Sequence, residues 1–270
     1  MCTYNGCRVS KAEYIRLKAI EKEIRNLQLN IPSRNGFDYR DWPIIKPLAG
    51  GKDIILKMAH WEYIPEIVED EFDLKRNREF YTWLNARCET LLVNEKGKLS
   101  MYREGALHGR CLVLSTGFYE WHHKERIGKI GKYKGEVLKG TDRIPYYITV
   151  KDNPDEYFFM AGVSRTWTNH LRGQSADTFA IVTAPANELM HEIHNAQHRM
   201  PTILPEDLAY EWIQDGLSEK RIMELAAYQL PSEKMEAWTI AKDFLKRPDP
   251  ETYYEYPEDL KLPWITKPLK

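Results

Sequence analysis

Residues 110–121, RCLVLSTGFYEW, carry the clearest indication of fold class in this chain. The first half is an apolar run bounded by polar residues, which is typical of a buried β-strand. The second half surrounds one carboxylate, Glu120, with three aromatic residues. Burial among rings disfavours the ionised carboxylate, so we predict a raised pKa and a general acid or base at Glu120. A glutamate that points outward between the rings is the alternative, and the sequence leaves both open.

Outward from this stretch, similar runs rich in Val, Ile, Tyr and Phe predict a set of further strands. These predicted strands cover residues 54–58, 89–93, 145–150, 157–163 and 178–183. Apolar residues at helical spacing predict helices over 10–27, 205–213 and 219–228. We expect loops at the Pro- and Gly-punctuated residues 33–52, a solvated loop or helix start at the acidic residues 66–73, and a flexible basic hairpin or loop at 122–143. Together these elements predict an α+β protein with a mixed sheet and peripheral helices.

Length and charge limit the organisation and the function classes. A chain of 270 residues is one large domain or two small ones. We predict a single domain over 2–247, followed by an extended tail rich in Pro and Tyr, 248–270, that packs on the surface. The charge balance, 39 Lys and Arg against 40 Asp and Glu, excludes a generally basic nucleic-acid coat but not a local basic groove.

The apolar runs and the spacing of the cysteines indicate where in the cell the protein works and whether it holds a metal. No apolar run approaches the roughly 20 residues of a membrane span, and the N-terminus shows no export pattern. The four cysteines form no C-x-x-C pair, which argues against a zinc site and a redox dithiol. We therefore expect a cytoplasmic protein with reduced thiols, and with no metal, cofactor or membrane partner. We also expect a monomer.

Cys2 is the first candidate for chemistry. Removal of Met1 leaves one residue with both a thiol and an α-amine, whose reference pKa values are about 8.5 and about 7.7–8.0. Such a 1,2-aminothiol attacks an aldehyde through its amine and then closes a thiazolidine ring through its sulfur. It would serve equally as an N-terminal nucleophile for amide hydrolysis. A second-position cysteine without a function is the third alternative.

Two further motifs combine polar and basic residues. NARCET, residues 85–90, stands before an apolar run, and its Arg87 is suited to a bidentate phosphate contact. HEIHNAQHRMP, residues 191–201, has three histidines within eight residues. The zinc pattern H-E-x-x-H fails because its second His would fall at Asn195. One of these histidines is better explained as a proton shuttle or a charge stabiliser.

Taken together and in this order, these motifs resemble the SRAP family (SOS response-associated peptidase). The resemblance rests on Cys2, on NARCET, on GFYEW, and on IVT at 181–183 followed by His and Arg-Met-Pro. The segment from Trp61 to Pro65 also resembles the Trp-Gly-Leu-Ile-Pro segment of the family. The match spans about residues 2 to 230. It implies a barrel-like, largely antiparallel curved sheet.

The resemblance also implies a function. Family members recognise abasic sites in single-stranded DNA and capture them as a stable thiazolidine crosslink. Carried onto this chain, Cys2 is the nucleophile, Asn85 positions its amino group, and Glu120 shuttles protons. A histidine assists, and we favour His194 over His198.

The implied DNA contacts are Arg87 and Arg199 to phosphates and Trp61 as a face for base stacking. Thr3 and Tyr4 replace the Gly and Arg of the usual family start, and 66–73 and 124–143 look inserted. Two alternatives stay open, a non-covalent binder of single-stranded or modified DNA and a cysteine amidohydrolase.

Overall fold

The computed structural model describes residues 3–8, 30–47, 54–128, 130–151 and 157–262. The described chain contains thirteen strands and five α-helices. The strands are β1 Tyr4–Arg8, β2 Asn30–Asn35, β3 Asp41–Pro47, β4 Ile54–Trp61, β5 Asn85–Arg87, β6 Arg110–Ser115, β7 Gly117–Ile127, β8 Val137–Val150, β9 Phe158–Asn169, β10 Gln174–Pro185, β11 Arg199–Pro201, β12 Ile203–Leu204 and β13 Met235–Thr239. The helices are α1 Glu71–Asn77, α2 Arg103–His108, α3 Glu188–Ile193, α4 Glu206–Trp212 and α5 Glu219–Ala226.

Five strands close into a barrel. The order is β10-β4-β3-β6-β9, and β9 pairs back to β10, so the ring has no free edge. Only the β4–β10 pairing in this ring is parallel. All six residues of β6 are buried, as expected for a strand inside such a ring. The barrel is closed around large side chains such as Trp42, Trp61 and Phe179.

A second sheet has the order β13-β8-β7-β1-β2 and is antiparallel throughout. It places the first described strand, β1, directly against β7, with Asn5 opposite Phe118 and Gly6 opposite Gly117. The predicted class, α+β with a largely antiparallel, barrel-like sheet and peripheral helices, is confirmed.

Several predicted elements are confirmed. β6 has the predicted bounds, and the predicted strands at 54–58, 145–150 and 178–183 lie within longer strands. The strand predicted at 157–163 begins one residue later and is also longer than predicted. The two predicted helices after Pro205 are α4 and α5, and residues 66–73 include the start of α1, which Asp70 caps by accepting from the N–H groups of Phe72 and Asp73. The described residues of the basic segment 122–143 belong to a β-hairpin that β7 and β8 form.

Two predictions are wrong. Residues 33–52 were expected to be loop, but β2 ends there and β3 occupies Asp41–Pro47, because Trp42, Ile44 and Ile45 have a core to fill despite the neighbouring prolines. The strand expected at 89–93 is a 3-10 turn over Cys88–Thr90, and the strand lies earlier, at β5. The helix predicted over 10–27 falls outside the described residues.

The described part of the tail, 248–262, runs over the second sheet. The Tyr256 hydroxyl donates to the Ile240 carbonyl, and the Leu262 N–H donates to the Tyr146 hydroxyl. Both Tyr256 and Leu262 are buried. The division of the chain into a domain at 2–247 and a tail stays a prediction.

Candidate functional site

Glu120 lies on β7 with its carboxylate inside the protein. Its neighbours Tyr119 and Trp121 pack on Phe244 and Tyr4, with ring centroids 4.7 and 4.9 Å apart respectively. Since successive side chains of a strand alternate in face, Glu120 projects away from these rings. It is 4% exposed, and this burial raises its pKa from 4.5 to about 7. The predicted raised pKa is confirmed, and the outward-pointing alternative is wrong.

His194 faces this carboxylate. Its Nε2 lies 3.7 Å from Oε2 of Glu120, and its Nδ1 lies 2.9 Å from the carbonyl oxygen of Arg199. A carbonyl only accepts, so Nδ1 carries the proton and Nε2 presents a lone pair to Glu120. Burial lowers the pKa of His194 to about 4. At neutral pH the pair is therefore a neutral imidazole beside a carboxyl whose pKa burial has raised to about 7.

The position of His194 follows from the local sequence. Asn187 caps α3 by accepting from the Met190 N–H at 2.9 Å, and the helix ends at Ile193. His194 is the next residue and points inward, whereas His198 is exposed, has a positive φ of 52° and stacks on His191 at 3.8 Å. Of the two candidate histidines, the fold brings His194 to Glu120.

Two side chains that the sequence analysis missed hold α3 and its C-terminal loop against β7. Asn195 accepts from the His123 N–H and donates to the His123 carbonyl, both at 2.9 Å. The His122 ring places Nδ1 2.8 Å from the carbonyl oxygen of Glu192. No sequence signal pointed to these contacts, because they join residues about 70 positions apart.

Asn85 lies at the edge of the barrel on β5, which pairs with β10 so that Asn85 stands opposite Ile181. It is 8% exposed, and its Oδ1 has no hydrogen-bond partner among the described residues. A buried acceptor without a partner is costly, so this amide is prepared for an incoming N–H or O–H group.

Arg199 connects the two halves of the site. Its guanidinium pairs with both carboxylate oxygens of Glu89 and donates to the Thr183 carbonyl at 2.6 Å. Its backbone carbonyl is the group that orients His194. On β10, Thr183 also stands opposite Arg87, so Asn85, Arg87 and Arg199 all meet the same end of that strand.

Cys2 lies outside the described residues, and Thr3 is the first described one. The Thr3 carbonyl accepts from the Gly36 N–H at 2.8 Å, and β1 follows at once. When the register of β1 on β7 is continued by two residues, Thr3 stands opposite Glu120. The chain therefore enters its first described strand beside the buried carboxyl.

Comparison with known proteins places this arrangement in a family. The model of the family described as SOS response associated peptidase (SRAP) matches residues 1–246. The chain belongs to the SRAP family. The resemblance inferred from the motifs is thereby confirmed.

The chain is also similar to named relatives and to one solved structure. Abasic site processing protein YoaM of Bacillus subtilis (strain 168) is 27% identical over 198 residues, which is 73% of this chain and 74% of that protein. Abasic site processing protein YedK of Escherichia coli (strain K12) is 29% identical over 144 residues, 53% of each chain. A crystal structure of a protein from Bacteroides thetaiotaomicron has a TM-score of 0.75 and 29% identity, and the match covers 94% of this chain and 100% of that one.

The SRAP residues predicted to bind DNA occupy three different environments. Arg87 is exposed beside an open pocket that Asn94 and Glu95 also line. Arg199 is 8% exposed and paired with Glu89. Trp61 is 1% exposed, stacks on Phe179 and donates from Nε1 to the Leu84 carbonyl.

The DNA-binding roles of Arg87, Arg199 and Trp61 stay predictions. The exposed Arg87 is the most accessible of the three, and the buried Trp61 is the least accessible. A base-stacking role for Trp61 requires its ring to leave the barrel core. The sequence analysis also missed Tyr81, a 59% exposed ring stacked on Trp83 at 6.0 Å, four residues before Asn85. The only signal in the sequence was the position of this tyrosine close to the NARCET motif.

The described residues contain no group of three His, Cys, Asp or Glu side chains arranged to hold a metal ion. Cys7, Cys88 and Cys111 are buried free thiols, and burial raises the pKa of Cys7 and Cys111 to about 12 and that of Cys88 to about 11. These three thiols stay protonated at neutral pH, which leaves them unreactive. Among the described helices, none is long and apolar enough to cross a membrane.

Proposed function

We propose that this SRAP protein processes abasic sites in single-stranded DNA by capturing them covalently on Cys2. The observation that carries the proposal is the buried Glu120–His194 pair beside the strand that leads back to the N-terminus. The names of the relatives, abasic site processing proteins, support the choice of substrate.

The chemistry needs no oxidant and no cofactor. The α-amine of Cys2 adds to the aldehyde carbon of the ring-opened sugar, and the carbonyl electron pair moves to oxygen. The nitrogen gives up its two protons and the oxygen takes up two, so that the oxygen leaves as water and a neutral Schiff base remains. The Cys2 thiolate then adds to the imine carbon, and the imine nitrogen takes a proton. Aminothiol and aldehyde thus become thiazolidine and water.

Glu120 is suited to move the protons in these steps. A group with a pKa close to the working pH is protonated often enough to donate and deprotonated often enough to accept. The carboxyl delivers a proton to the departing oxygen, and His194 Nε2 accepts or returns one across the 3.7 Å contact.

Asn85 and the exposed cationic and aromatic groups supply binding. The free Oδ1 of Asn85 accepts from the Cys2 amine and so directs its lone pair to the aldehyde. Arg87 is open to a phosphate, and Tyr81 offers an exposed ring face to a neighbouring base.

The test is denaturing gel electrophoresis after incubation with single-stranded DNA that carries one abasic site. Wild-type protein forms a heat-stable shifted band, and Cys2→Ala forms none. Glu120→Gln and His194→Ala slow band formation by about 100-fold, the lower range of general acid–base contributions. His198→Ala is the matched control and keeps the wild-type rate.

Mass spectrometry first confirms that Met1 has been removed. A wild-type protein that carries Cys2 at its N-terminus and gives no band overturns the proposal. Acetylation of the α-amine separates capture from acyl transfer, because capture needs the amine. An acetylated protein that cleaves acyl substrates through its free thiol would show a cysteine amidohydrolase instead.

A further inference from the structure

Beyond the site, β7 and β8 continue as a two-stranded arm, residues 124–143. β1 pairs β7 only at residues 117 and 118, and β13 pairs β8 only at residues 146–150, so within the described residues no further strand joins the arm. Ile127 is seven residues beyond Glu120, which is about 24 Å at 3.4 Å per residue. The arm thus begins four residues beyond Glu120 and extends past the part of the second sheet that β1 and β13 pair with.

The arm concentrates positive charge, although the chain as a whole has no net positive charge. It carries seven Lys or Arg residues and three acids, whereas the whole chain has a net charge of −1. Arg126 pairs with Asp142 at 3.0 Å. Lys132, Lys134 and Lys139 are exposed, and no described carboxylate forms an ion pair with them. Three cations therefore remain available to an anionic partner.

The arm also exposes apolar and aromatic surface. Ile130 is 84% exposed, Val137 62% and Tyr133 50%, and Lys132 Nζ lies 4.8 Å from the centre of the Tyr133 ring. These side chains contribute nothing to the core, and apolar groups grouped on a surface mark interaction sites. Cations interleaved with apolar and aromatic faces are the combination that binds a single strand through its phosphates and its unstacked bases.

We propose that the arm is a second binding surface for single-stranded DNA and holds the strand that flanks the lesion. Its lysines contact phosphates, and Tyr133 with the neighbouring Ile and Val side chains covers bases. A duplex keeps its bases stacked inside, so it would contact only the lysines of the arm and not the apolar and aromatic side chains. The identity of the ligand rests on the function proposed above, whereas the surface itself is independent of the crosslinking chemistry.

The experiment measures non-covalent binding in a Cys2→Ala background, where crosslinking is absent. Fluorescence anisotropy follows a labelled single strand with no abasic site at several salt concentrations. The slope of log affinity against log salt is negative, and each phosphate contact on a single strand contributes about −0.7 to it. Replacement of Lys132, Lys134 and Lys139 by Gln therefore makes the slope shallower by about 2. The matched control replaces three exposed lysines outside the arm, Lys75, Lys220 and Lys234, and leaves the slope unchanged.

A second variant tests the apolar half. Tyr133→Ala weakens single-strand binding by about five-fold or more with the slope retained, as expected for loss of one stacked base. An unchanged slope in the triple arm variant overturns the proposal, as does an effect confined to a duplex of equal length. If wild-type protein forms no crosslink but still binds a single strand through the arm, the proposed function is rejected and the proposal for the arm stands.

Discussion

Glu120 and His194 have pKa values shifted in opposite directions by the same cause, removal from water. Between about pH 4.5 and 7, folded Glu120 keeps a proton that the unfolded chain has lost, so its contribution to stability falls as pH rises. Between about pH 4 and 6.5, the unfolded chain protonates His194 and the folded chain does not, so that contribution rises with pH. The two effects oppose each other where they overlap.

Replacing Glu120 with Gln removes the contribution that makes the protein less stable as pH rises. Relative to wild type, Glu120→Gln gains stability as pH rises from about 4.5 through 7, by up to about 3 kcal/mol, because the amide has no charge to bury. Urea unfolding at pH 5, 6, 7 and 8 measures the difference. Glu233→Gln, at an exposed carboxylate, is the control. Parallel stability profiles for wild type and Glu120→Gln would contradict the assigned burial.

Arg199 and Glu89 form an ion pair in which only the carboxylate is substantially exposed, at 46% against 10% for the arginine side chain. Glu89→Ala leaves a buried guanidinium short of a counter-charge and costs about 3 kcal/mol in unfolding free energy. Adding Arg199→Met recovers part of that loss. A double-mutant cycle by urea unfolding measures this coupling, and simple additivity would show that the pair is not structural.

At the scale of elements, the loop after α3 is joined to β7 by the two hydrogen bonds between Asn195 and the backbone of His123. Asn195→Ala removes both, and the loop that begins at His194 loses its anchor. We expect crosslinking to slow by about ten-fold or more with single-strand affinity unchanged, since misplacement of a proton-transfer group is costly. Gel-based rates and anisotropy separate the two, and Gln197→Ala, two residues along the same loop and exposed, is the control.

Asn195→Asp sharpens this test. The carboxylate still accepts from the His123 N–H but no longer donates to the His123 carbonyl. If the contact positions His194, the crosslinking rate of Asn195→Asp therefore falls between the rates of wild type and Asn195→Ala. Equal rates for wild type and all three variants would mean that the loop is held by other contacts.

Elements with strong local patterns could be predicted, and contacts between distant elements could not. β6 has the predicted bounds because its apolar run is buried on both faces. β3 was missed because Pro43 and Pro47 suggested a loop, while the burial of Trp42 and Ile44 decided the outcome. The aromatic surroundings of Glu120 and the family resemblance made Glu120 and His194 candidates, but the burial of Trp61 and the hydrogen bonds of Asn195 depend on tertiary packing, which no local pattern encodes.

At the scale of the whole molecule, the candidate site joins two sheets. Glu120 lies on the second sheet, whereas Asn85 and Arg199 lie on strands paired with the barrel strand β10. Residues far apart in sequence therefore meet only when both sheets are formed and docked. We infer that substitutions which loosen the docking reduce activity without touching a site residue.

The tail offers the means to test that dependence. Tyr256 is 7% exposed and its hydroxyl donates to the carbonyl of Ile240, the residue that follows β13, so it holds the tail beside the end of that strand. Tyr256→Ala loses a buried ring and a hydrogen bond, and we expect a loss of about 3 kcal/mol in unfolding free energy. Tyr254→Ala, at a 42% exposed ring in the same segment, costs under about 1 kcal/mol.

Both tyrosine variants are measured by urea unfolding and by crosslinking rate at a urea concentration that leaves wild type folded. If docking of the second sheet supports the site, Tyr256→Ala loses crosslinking at lower urea than its own global unfolding, because the sheet separates before the barrel opens. Coincident loss of activity and of global structure would show instead that the two sheets unfold as one cooperative unit and that the tail stabilises the molecule as a whole.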